Sequence, residues 1–170
     1  RIFREYLPRQ RCSTFGVKSK ISDSGIDQIV VINLDRQPVR WNAVKRELDR
    51  VLDDEGTPIR LLANRHSACD ARSDLAPNAQ TPDIATTYTL RDQLFVEPQP
   101  ALTIEDFDLE RPITMTDAEV AVAQSHIDVW REISQSDFQC VLVLEDDAIF
   151  CRGFGRYLDK AWSEMRSCDN

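Results

Sequence analysis

The sequence predicts an α/β fold with a mostly parallel β-sheet. Two short runs rich in Val, Ile and Leu, at Gln28–Leu34 and Val141–Leu144, have the length and composition of strands buried on both faces. Apolar residues after the first run recur at steps of three and four, as they do along one face of a helix. Strands that alternate with amphipathic helices are typical of parallel sheets.

Composition limits the classes of protein to consider. The chain has 170 residues, of which 42% are hydrophobic and 29% are charged, which is ordinary usage for a folded domain with a core. The formal net charge of -8 argues against a nucleic acid as partner, because a phosphate backbone needs a concentrated basic surface. The five cysteines have no C-x-x-C spacing and suit free thiols in a reducing compartment. We therefore expect a cytoplasmic protein, since the sequence also lacks a membrane span and a signal peptide.

The N-terminal stretch differs from the rest of the chain. Residues 1–25 are polar and basic without sustained periodicity, so we expect a flexible basic leader followed by one domain at 26–170. Two interpretations of the leader remain open. It is either a solvated arm or a peripheral membrane contact, in which arginines bind anionic lipid beside the apolar side chains of Ile2, Phe3, Tyr6 and Leu7.

The first strand opens a predicted β-α-β unit. Pro38 suits the first turn of a helix, and the apolar stripe of that helix consists of Trp41, Val44, Leu48, Val51 and Leu52. Gly56-Thr57-Pro58 is expected to end the helix, and Ile59–Ala63 is predicted as the next strand. Such a unit places the turn at Asn33–Arg40 at the carboxyl edge of the sheet, where ligands of α/β proteins bind.

Two arginines flank this turn. The guanidinium groups of Arg36 and Arg40, near a helix N-terminus, would suit the phosphates of a nucleotide. The alternative is that both are ordinary surface arginines. The sequence contains neither a Gly-rich dinucleotide fingerprint nor a Walker loop, so any nucleotide binds by another design.

A second helix is predicted in the middle of the chain. The stretch Asn64–Arg111 is irregular and contains several prolines, with a short helix expected within Ile84–Val96. Thr116-Asp117-Ala118-Glu119 then has the form of a capping box, which predicts a helix start at Thr116. The expected core-facing stripe is Val120, Ala123, Ile127 and Trp130, with Glu119, Val122, His126 and Val129 on an adjoining face. Ser125 and His126 lie mid-helix, where a lone histidine is more often a packed residue than a catalyst.

The apolar run at Val141–Leu144 ends on three consecutive carboxylates, Glu145, Asp146 and Asp147. Three crowded negative charges at a strand end are costly unless a cation or hydrogen-bond donors neutralise them. Oxygen ligands favour a hard ion, Mg²⁺ or Mn²⁺, shared with the phosphates of a substrate. The alternative is a solvated acidic turn that caps the last helix, which is predicted to start near Phe154.

Three segments together resemble a known family. V-I-N-L-D-R with Arg40, T-D-A-E-V-A-V-A-Q-S-H-I-D-V-W and V-L-E-D-D-A-I-F occur in the order and spacing of glycosyltransferase family 25. This is the lipopolysaccharide (lipooligosaccharide) glycosyltransferase family, which is related to the collagen galactosyltransferases. The chain departs from the family's Gly-Glu-x-Gly-Cys pattern at Ala118, Ala121 and Val122, where added side chains bear on substrate fit.

The resemblance implies a GT-A-like, Rossmann-like domain, or its N-terminal nucleotide-binding part, that binds a UDP-sugar with Mn²⁺ or Mg²⁺. The family's acidic motif falls on Glu145, Asp146 and Asp147, with Asp147 as the expected direct metal ligand. Its nucleotide-binding turn falls on Asn33, Leu34, Arg36 and Arg40. Its Ser-His pair falls on Ser125 and His126, which places His126 in the active site as a contact for donor or acceptor, with the general base unassigned.

The implied function is metal-dependent transfer of galactose or glucose from a UDP-sugar to a hydroxyl of a glycan or glycolipid acceptor, as in lipopolysaccharide biosynthesis. Family precedent favours an inverting displacement. One alternative is a non-catalytic module that keeps the fold and binds a nucleotide sugar or a protein. Another is a metal-dependent phosphotransferase, which is disfavoured because Ala148 and Ile149 stand where such enzymes tend to place a hydroxyl residue.

Overall fold

A computed structural model describes residues 19–20, 25–53, 55–73, 83–96 and 107–168. The contacts divide the chain into two compact units. The first lies within Arg1–Asn33, Gln37–Arg65 and Phe138–Asn170, and the second within Leu34–Arg36 and His66–Asp137. Of the expected leader, Ser19–Lys20 and Gly25 are described, and its other residues lie outside the described part of the chain.

Strands and helices are interspersed along the chain and include a parallel sheet, which confirms the predicted α/β class. The strands are β1 Ser19–Lys20, β2 Gln28–Asn33, β3 Val51–Leu52, β4 Ala63–Ser67, β5 Thr87–Thr89, β6 Pro112–Thr114 and β7 Val141–Glu145. The helices are α1 Pro38–Leu48, α2 Leu90–Val96, α3 Asp117–Ser134 and α4 Phe154–Cys168, with a 3₁₀ turn at Ile59–Leu62. The short helix expected within Ile84–Val96 is therefore α2, and the predicted C-terminal helix is α4.

A three-stranded parallel sheet is the centre of the architecture. Its strand order is β4-β2-β7, which confirms the predicted parallel sheet. Gln28 pairs with Val141, and the register continues to Ile32 opposite Glu145. Because β2 and β7 run in the same direction in this register, their carboxyl ends meet at one edge of the sheet. That edge carries Asn33 and the three carboxylates.

The core of the first unit lies between β2, α1 and the segment after β7. Its buried members are Ile29, Val31, Val44, Leu48, Val51, Ile59 and Phe150. The rings of Phe150 and Phe154 stack with their centroids 4.1 Å apart, which packs the start of α4 against this core. Burying such side chains contributes about 1.5 to 3 kcal/mol each, so this cluster holds the sheet edge in place.

The predicted course of the chain after α1 is wrong in two places. The helix ends at Leu48, and Val51–Leu52 forms β3, which pairs in parallel with β1. The expected strand at Ile59–Ala63 is mostly a 3₁₀ turn, and β4 begins at Ala63. Apolar residues at 48, 51 and 52 fit helical spacing, but the same residues suit a strand, and pairing with β1 decides between the two. A tight turn follows, in which the Asp53 carboxylate accepts a hydrogen bond from the Thr57 amide at 2.7 Å.

The burial expected for β7 is also corrected. Residues Val141–Leu144 are half-buried, whereas Ile29–Asn33 of β2 are buried throughout. Within the described residues β7 pairs with β2 alone and so forms an edge of this sheet, while β2 lies between two neighbours. A continuous apolar run thus identified both strands, but it did not distinguish the central strand from the edge strand.

In the second unit, the antiparallel pair β5-β6 precedes α3. Thr116 is the N-cap of α3, as predicted, and the reciprocal capping box is complete. The Thr116 hydroxyl accepts from the Glu119 amide at 3.3 Å, while Glu119 accepts from the Thr116 amide at 2.6 Å. The bond from the Thr116 backbone amide, together with that from its hydroxyl, lowers the pKa of Glu119.

The expected core-facing stripe of α3 is right at Val120, which is buried, and wrong at Trp130, which is exposed. Val120, Ala121, Ser125 and Val129 are the buried residues, whereas Trp130 is 60% exposed and Val122 is 52% exposed. Apolar residues cover more than half the circumference of this helix. Their spacing therefore indicates a helix, but it does not show which face of the helix is buried. The small side chains of Ala121 and Ser125 lie on the buried side, where the Ser125 hydroxyl finds hydrogen-bond partners.

Replacing Thr116 tests the capping box. We expect Thr116→Ala to lower the free energy of unfolding by about 1 kcal/mol, because the first turn of α3 loses its side-chain acceptor. Thr116→Ser, which keeps the hydroxyl, is the matched control and should stay close to wild type. Urea denaturation measures both. Equal destabilisation by the two variants would show that the methyl group of Thr116, and not its hydroxyl, matters at this position.

Two further features concern cysteines and membrane spans. Cys69, Cys140 and Cys151, whose side chains the structure describes, are not in disulfide bonds. Burial, with the charge of Asp27 as a second cause, raises the pKa of the Cys140 thiol, in keeping with a residue that serves packing. Among the helices of the described segments, none combines the length and the apolar character that a membrane crossing requires.

Candidate functional site

Two strand ends are joined by a buried hydrogen bond at the carboxyl edge of the sheet. Asn33 ends β2 and is 1% exposed, and Asp146 follows β7 and is 7% exposed. Asn33 Nδ2 donates to Asp146 Oδ2 at 2.6 Å and also to the Gln37 carbonyl at 3.1 Å. A charged carboxylate is stable at this burial only when donors surround it, so Asn33 fixes the position of Asp146.

Arg40 brings a positive charge to two of the carboxylates. It is the third residue of α1, and its Nε lies 3.2 Å from Asp146 Oδ1. Its Nη2 donates to Asp147 Oδ2 at 2.9 Å. One guanidinium therefore bridges Asp146 and Asp147. The planar fork of arginine suits this geometry, since it can bind two acceptors at once.

Arg65 completes the network and was missed by sequence reasoning. Its Nε donates to Asn33 Oδ1 at 2.7 Å, and its Nη2 donates to the Asn33 carbonyl at 3.3 Å. Because the amide oxygen of Asn33 accepts from a guanidinium, its amide nitrogen is directed at Asp146. The network thus runs from Arg65 through Asn33 and Asp146 to Arg40 and Asp147. Arg65 lies in a stretch that the sequence presented as a loop, and only its place in β4 beside β2 reveals its role.

The three predicted metal ligands are not equivalent. Asp146 is buried, whereas Glu145 is exposed and the Asp147 side chain is 62% exposed. In the residues that the structure describes, no group of three or more His, Cys, Asp or Glu side chains could hold a metal ion. The expected cluster of three carboxylates is therefore not formed as such. Two of its members, Asp146 and Asp147, converge on Arg40 instead.

The residues nevertheless fit a divalent ion held by two carboxylates. Asp146 Oδ1 and Asp147 Oδ2 are both directed at one cationic group, the Arg40 guanidinium. Mg²⁺ typically binds through one or two carboxylates and takes its other ligands from water and substrate phosphates. Asp147 is the more accessible of the pair, and its role as the direct ligand stays a prediction.

In the second unit, the predicted residue Arg36 has a carboxylate partner. Arg36 Nε donates to Asp70 Oδ2 at 2.5 Å. This bond, with a second from the Arg72 amide, holds the pKa of Asp70 below its usual range. Leu34 is half-buried two residues before Arg36. A contact of Arg36 with a nucleotide stays a prediction, and it would compete with this ion pair.

Ser125 and His126, the other predicted site residues, lie on α3. Ser125 is 1% exposed, and its hydroxyl accepts from the Cys69 amide at 2.9 Å and donates to the Ala121 carbonyl at 2.8 Å. These bonds give Ser125 a structural role in tying α3 to the segment after β4. His126 is half-buried, and its ring lies 6.1 Å from that of Trp130 between centroids. Contacts of either residue with a ligand remain predictions.

Comparison with known proteins decides the family. The family model described as Glycosyltransferase family 25 (LPS biosynthesis protein) matches residues 26–170, which is most of the chain. The chain belongs to glycosyltransferase family 25. Comparisons with curated proteins and with solved structures found no match. The family match confirms the resemblance seen in the sequence, and it identifies the protein as a glycosyltransferase.

A glycosyltransferase needs a place for an anionic donor, and the structure offers two contrasting polar regions. The second unit has a shallow cleft of about 520 Å³ between the end of β4 and α3. The carboxylates of Asp128 and Glu132 line this cleft, and its Arg131 is bound by Asp128 at 3.0 Å and by Asp83. Such a lining disfavours a diphosphate. The edge of the sheet also carries carboxylates, but it has Arg40 in the first turn of α1, where a helix N-terminus favours an anion.

Proposed function

We propose that this family 25 glycosyltransferase moves a hexose, galactose or glucose, from a UDP-sugar to a hydroxyl of a glycan or glycolipid acceptor in lipopolysaccharide biosynthesis. In this proposal the fold is GT-A-like and the donor binds at the carboxyl edge of the parallel sheet. The observation that carries the proposal is the hydrogen-bonded network of Asn33, Arg40, Asp146 and Asp147. Ligands of open α/β sheets bind at this edge.

With a divalent ion bound to its two carboxylates, the network would suit the departure of UDP. As the bond to the sugar breaks, negative charge develops on the diphosphate, and groups already placed to neutralise it lower the barrier. Arg40 projects from the N-terminal turn of α1, where the helix dipole also favours an anion. A Mn²⁺ or Mg²⁺ ion held by Asp146 and Asp147 would supply further positive charge to the diphosphate. Asn33 holds Asp146 in place for this role by donating a hydrogen bond to its Oδ2.

The acceptor side of the reaction rests on the family. Transfer with inversion requires an acceptor hydroxyl in line with the anomeric carbon and a base within about 3 Å of it. His126 is retained as a candidate contact for donor or acceptor, and Ser125 as a residue that positions the same helix. The network at the sheet edge supports the proposed donor site, and the acceptor site is proposed from the family.

Release of UDP tests the proposed function. We expect acceptor-dependent release from UDP-galactose or UDP-glucose in the presence of Mn²⁺, assayed with a panel of glycan and glycolipid acceptors. Chelation by EDTA should abolish the signal, and added Mn²⁺ should restore it. Full activity in EDTA would contradict the metal requirement. Transfer only from sugars carried by another nucleotide would contradict the assigned donor.

Arg36 and Arg40, which lie in the Asn33–Arg40 turn, are expected to contribute to UDP affinity. Loss of one charged hydrogen bond costs about 1.5 to 3 kcal/mol, so Arg36→Ala or Arg40→Ala should weaken UDP binding by that amount. Arg60→Ala is the matched control, because the Arg60 side chain is 40% exposed, close to that of Arg40, and pairs with Asp49 away from Asp146 and Asp147. Calorimetric titration with UDP and Mn²⁺ measures all three. If both turn variants bind UDP as wild type does, these arginines are surface residues.

A further inference from the structure

The position of Arg40 carries an inference about how the donor site changes when it is filled. Its guanidinium is 3.2 Å from Asp146 Oδ1 and 2.9 Å from Asp147 Oδ2. These are the same two carboxylates that the proposed function assigns to a divalent ion. A guanidinium and a divalent ion cannot both occupy the position between them, since like charges a few ångströms apart repel strongly.

We propose that Arg40 is an exchangeable cation: it neutralises Asp146 and Asp147 before the donor binds, and it releases them to the divalent ion and turns to the diphosphate. This inference rests on the proposed function, because it takes the ion and the diphosphate from there. The guanidinium of Arg40 and the divalent ion would then compete for the same two carboxylates, and Arg40 would leave them when the ion and the diphosphate bind.

Release of the Arg40 guanidinium from the two carboxylates costs little free energy because of its surroundings. The Arg40 side chain is 43% exposed and that of Asp147 is 62% exposed, so water screens their ion pair. Exposed pairs of this kind contribute little to stability, whereas a divalent ion brings twice the charge to the same oxygens. Asp146 does not depend on Arg40 alone, because Asn33 Nδ2 also donates to its other oxygen at 2.6 Å. The buried carboxylate therefore stays partnered during the exchange.

The place of Arg40 in the helix gives the released side chain its second partner. Arg40 lies in the first turn of α1, and no acidic residue lies in that turn. Backbone amides at a helix N-terminus and a nearby guanidinium together favour a phosphate group. One residue would thus compete with the ion for the carboxylates and assist the ion in binding the diphosphate.

Opposite effects on two ligands follow from this exchange. Without UDP, the Arg40 guanidinium occupies the position between the two carboxylates that the ion would take, so removing it should tighten Mn²⁺ binding. With UDP, Arg40 is engaged by phosphate, so removing it should weaken UDP binding. By linkage, the factor by which UDP enhances Mn²⁺ affinity should fall in the variant, because part of that enhancement comes from drawing Arg40 off the carboxylates.

The experiment is calorimetric titration of Mn²⁺ into the whole protein, with and without UDP, for wild type, Arg40→Ala and Arg60→Ala. We expect Arg40→Ala to bind Mn²⁺ about three- to tenfold more tightly than wild type without UDP, as loss of the exposed pair with Asp147 and of the pair with the buried Asp146 predicts. Arg60→Ala removes the same charge from the same unit and should match wild type. Equal or weaker Mn²⁺ binding by Arg40→Ala, or the same tightening in Arg60→Ala, would overturn the exchange.

Arg40→Lys is a second variant that tests the exchange if Arg40→Ala does not fold, which circular dichroism would reveal. Lysine keeps the charge but cannot bridge two acceptors as a planar fork does, so its Mn²⁺ affinity should lie between wild type and Arg40→Ala. Failure of the proposed function gives a different pattern. If wild type binds no Mn²⁺ even with UDP, the metal site itself is wrong, whereas Mn²⁺ binding that ignores Arg40 overturns the exchange alone.

Discussion

Asp147→Asn is expected to reduce transfer from a UDP-sugar by about 10²- to 10³-fold, the usual cost of losing one electrostatic contact to a developing charge. Asp147 is the accessible member of the pair that converges on Arg40, with Oδ2 2.9 Å from Arg40 Nη2. The amide removes the negative charge that would attract the ion and keeps the shape of the side chain. We therefore expect Mn²⁺ binding in the presence of UDP to weaken in parallel, as calorimetry and kcat/KM would show.

The matched control for this change is Asp49→Asn. Asp49 is an exposed carboxylate of the same unit, and it pairs with Arg60 at 2.5 Å. The variant loses the same charge away from the strand ends, so its Mn²⁺ affinity and activity should stay at wild-type level. Equal Mn²⁺ and UDP affinity in Asp147→Asn and wild type would refute the assignment of Asp147 as a metal ligand.

Asn33→Ala is expected to lower the free energy of unfolding by about 2 to 4 kcal/mol, which is large for a single polar residue. Asn33 is 1% exposed, and its amide satisfies Asp146 on one side and Arg65 on the other. Without it, a buried carboxylate loses its hydrogen-bond donor and a guanidinium loses its acceptor. Urea denaturation at neutral pH measures the effect from the shift in midpoint at constant slope.

Asn42→Ala is the control for this prediction. Asn42 lies on α1 and is exposed, so its replacement should change the unfolding free energy by less than about 0.5 kcal/mol. If Asn33→Ala is no less stable than Asn42→Ala, the buried bond to Asp146 does not stabilise the edge of the sheet. The network would then be incidental to the fold.

The sequence predicted the elements whose signals are local. The apolar runs of β2 and β7, the capping box at Thr116 and the proline at the start of α1 each depend on neighbouring residues, and each is confirmed. The sequence also placed the Asn33–Arg40 turn and the three carboxylates at carboxyl ends of strands. It did not predict that β2 pairs with β7, and this pairing is what brings Asn33 and Asp146 to one edge.

What the sequence could not give depends on contacts distant along the chain. Arg65 contacts Asn33 across 32 positions, and no periodic pattern marks it. Val51 and Leu52 fit a helical stripe but join β1 instead, and Trp130 fits the stripe of α3 but is exposed. In each case spacing allowed two orientations, and tertiary packing selected one. The bridge from Arg40 to two aspartates was equally hidden, since the sequence suggested a metal ion as the neutralising cation.

The most direct test of the donor site is the NMR signal of the Asn33 side-chain amide, which donates to Asp146 at 2.6 Å. A paramagnetic Mn²⁺ ion held with UDP by Asp146 and Asp147 should broaden this signal selectively. Mg²⁺ with UDP should leave it sharp, and Asp147→Asn should prevent the broadening by Mn²⁺. If Mn²⁺ with UDP broadens signals elsewhere while the Asn33 amide stays sharp, the donor does not bind at this edge of the sheet.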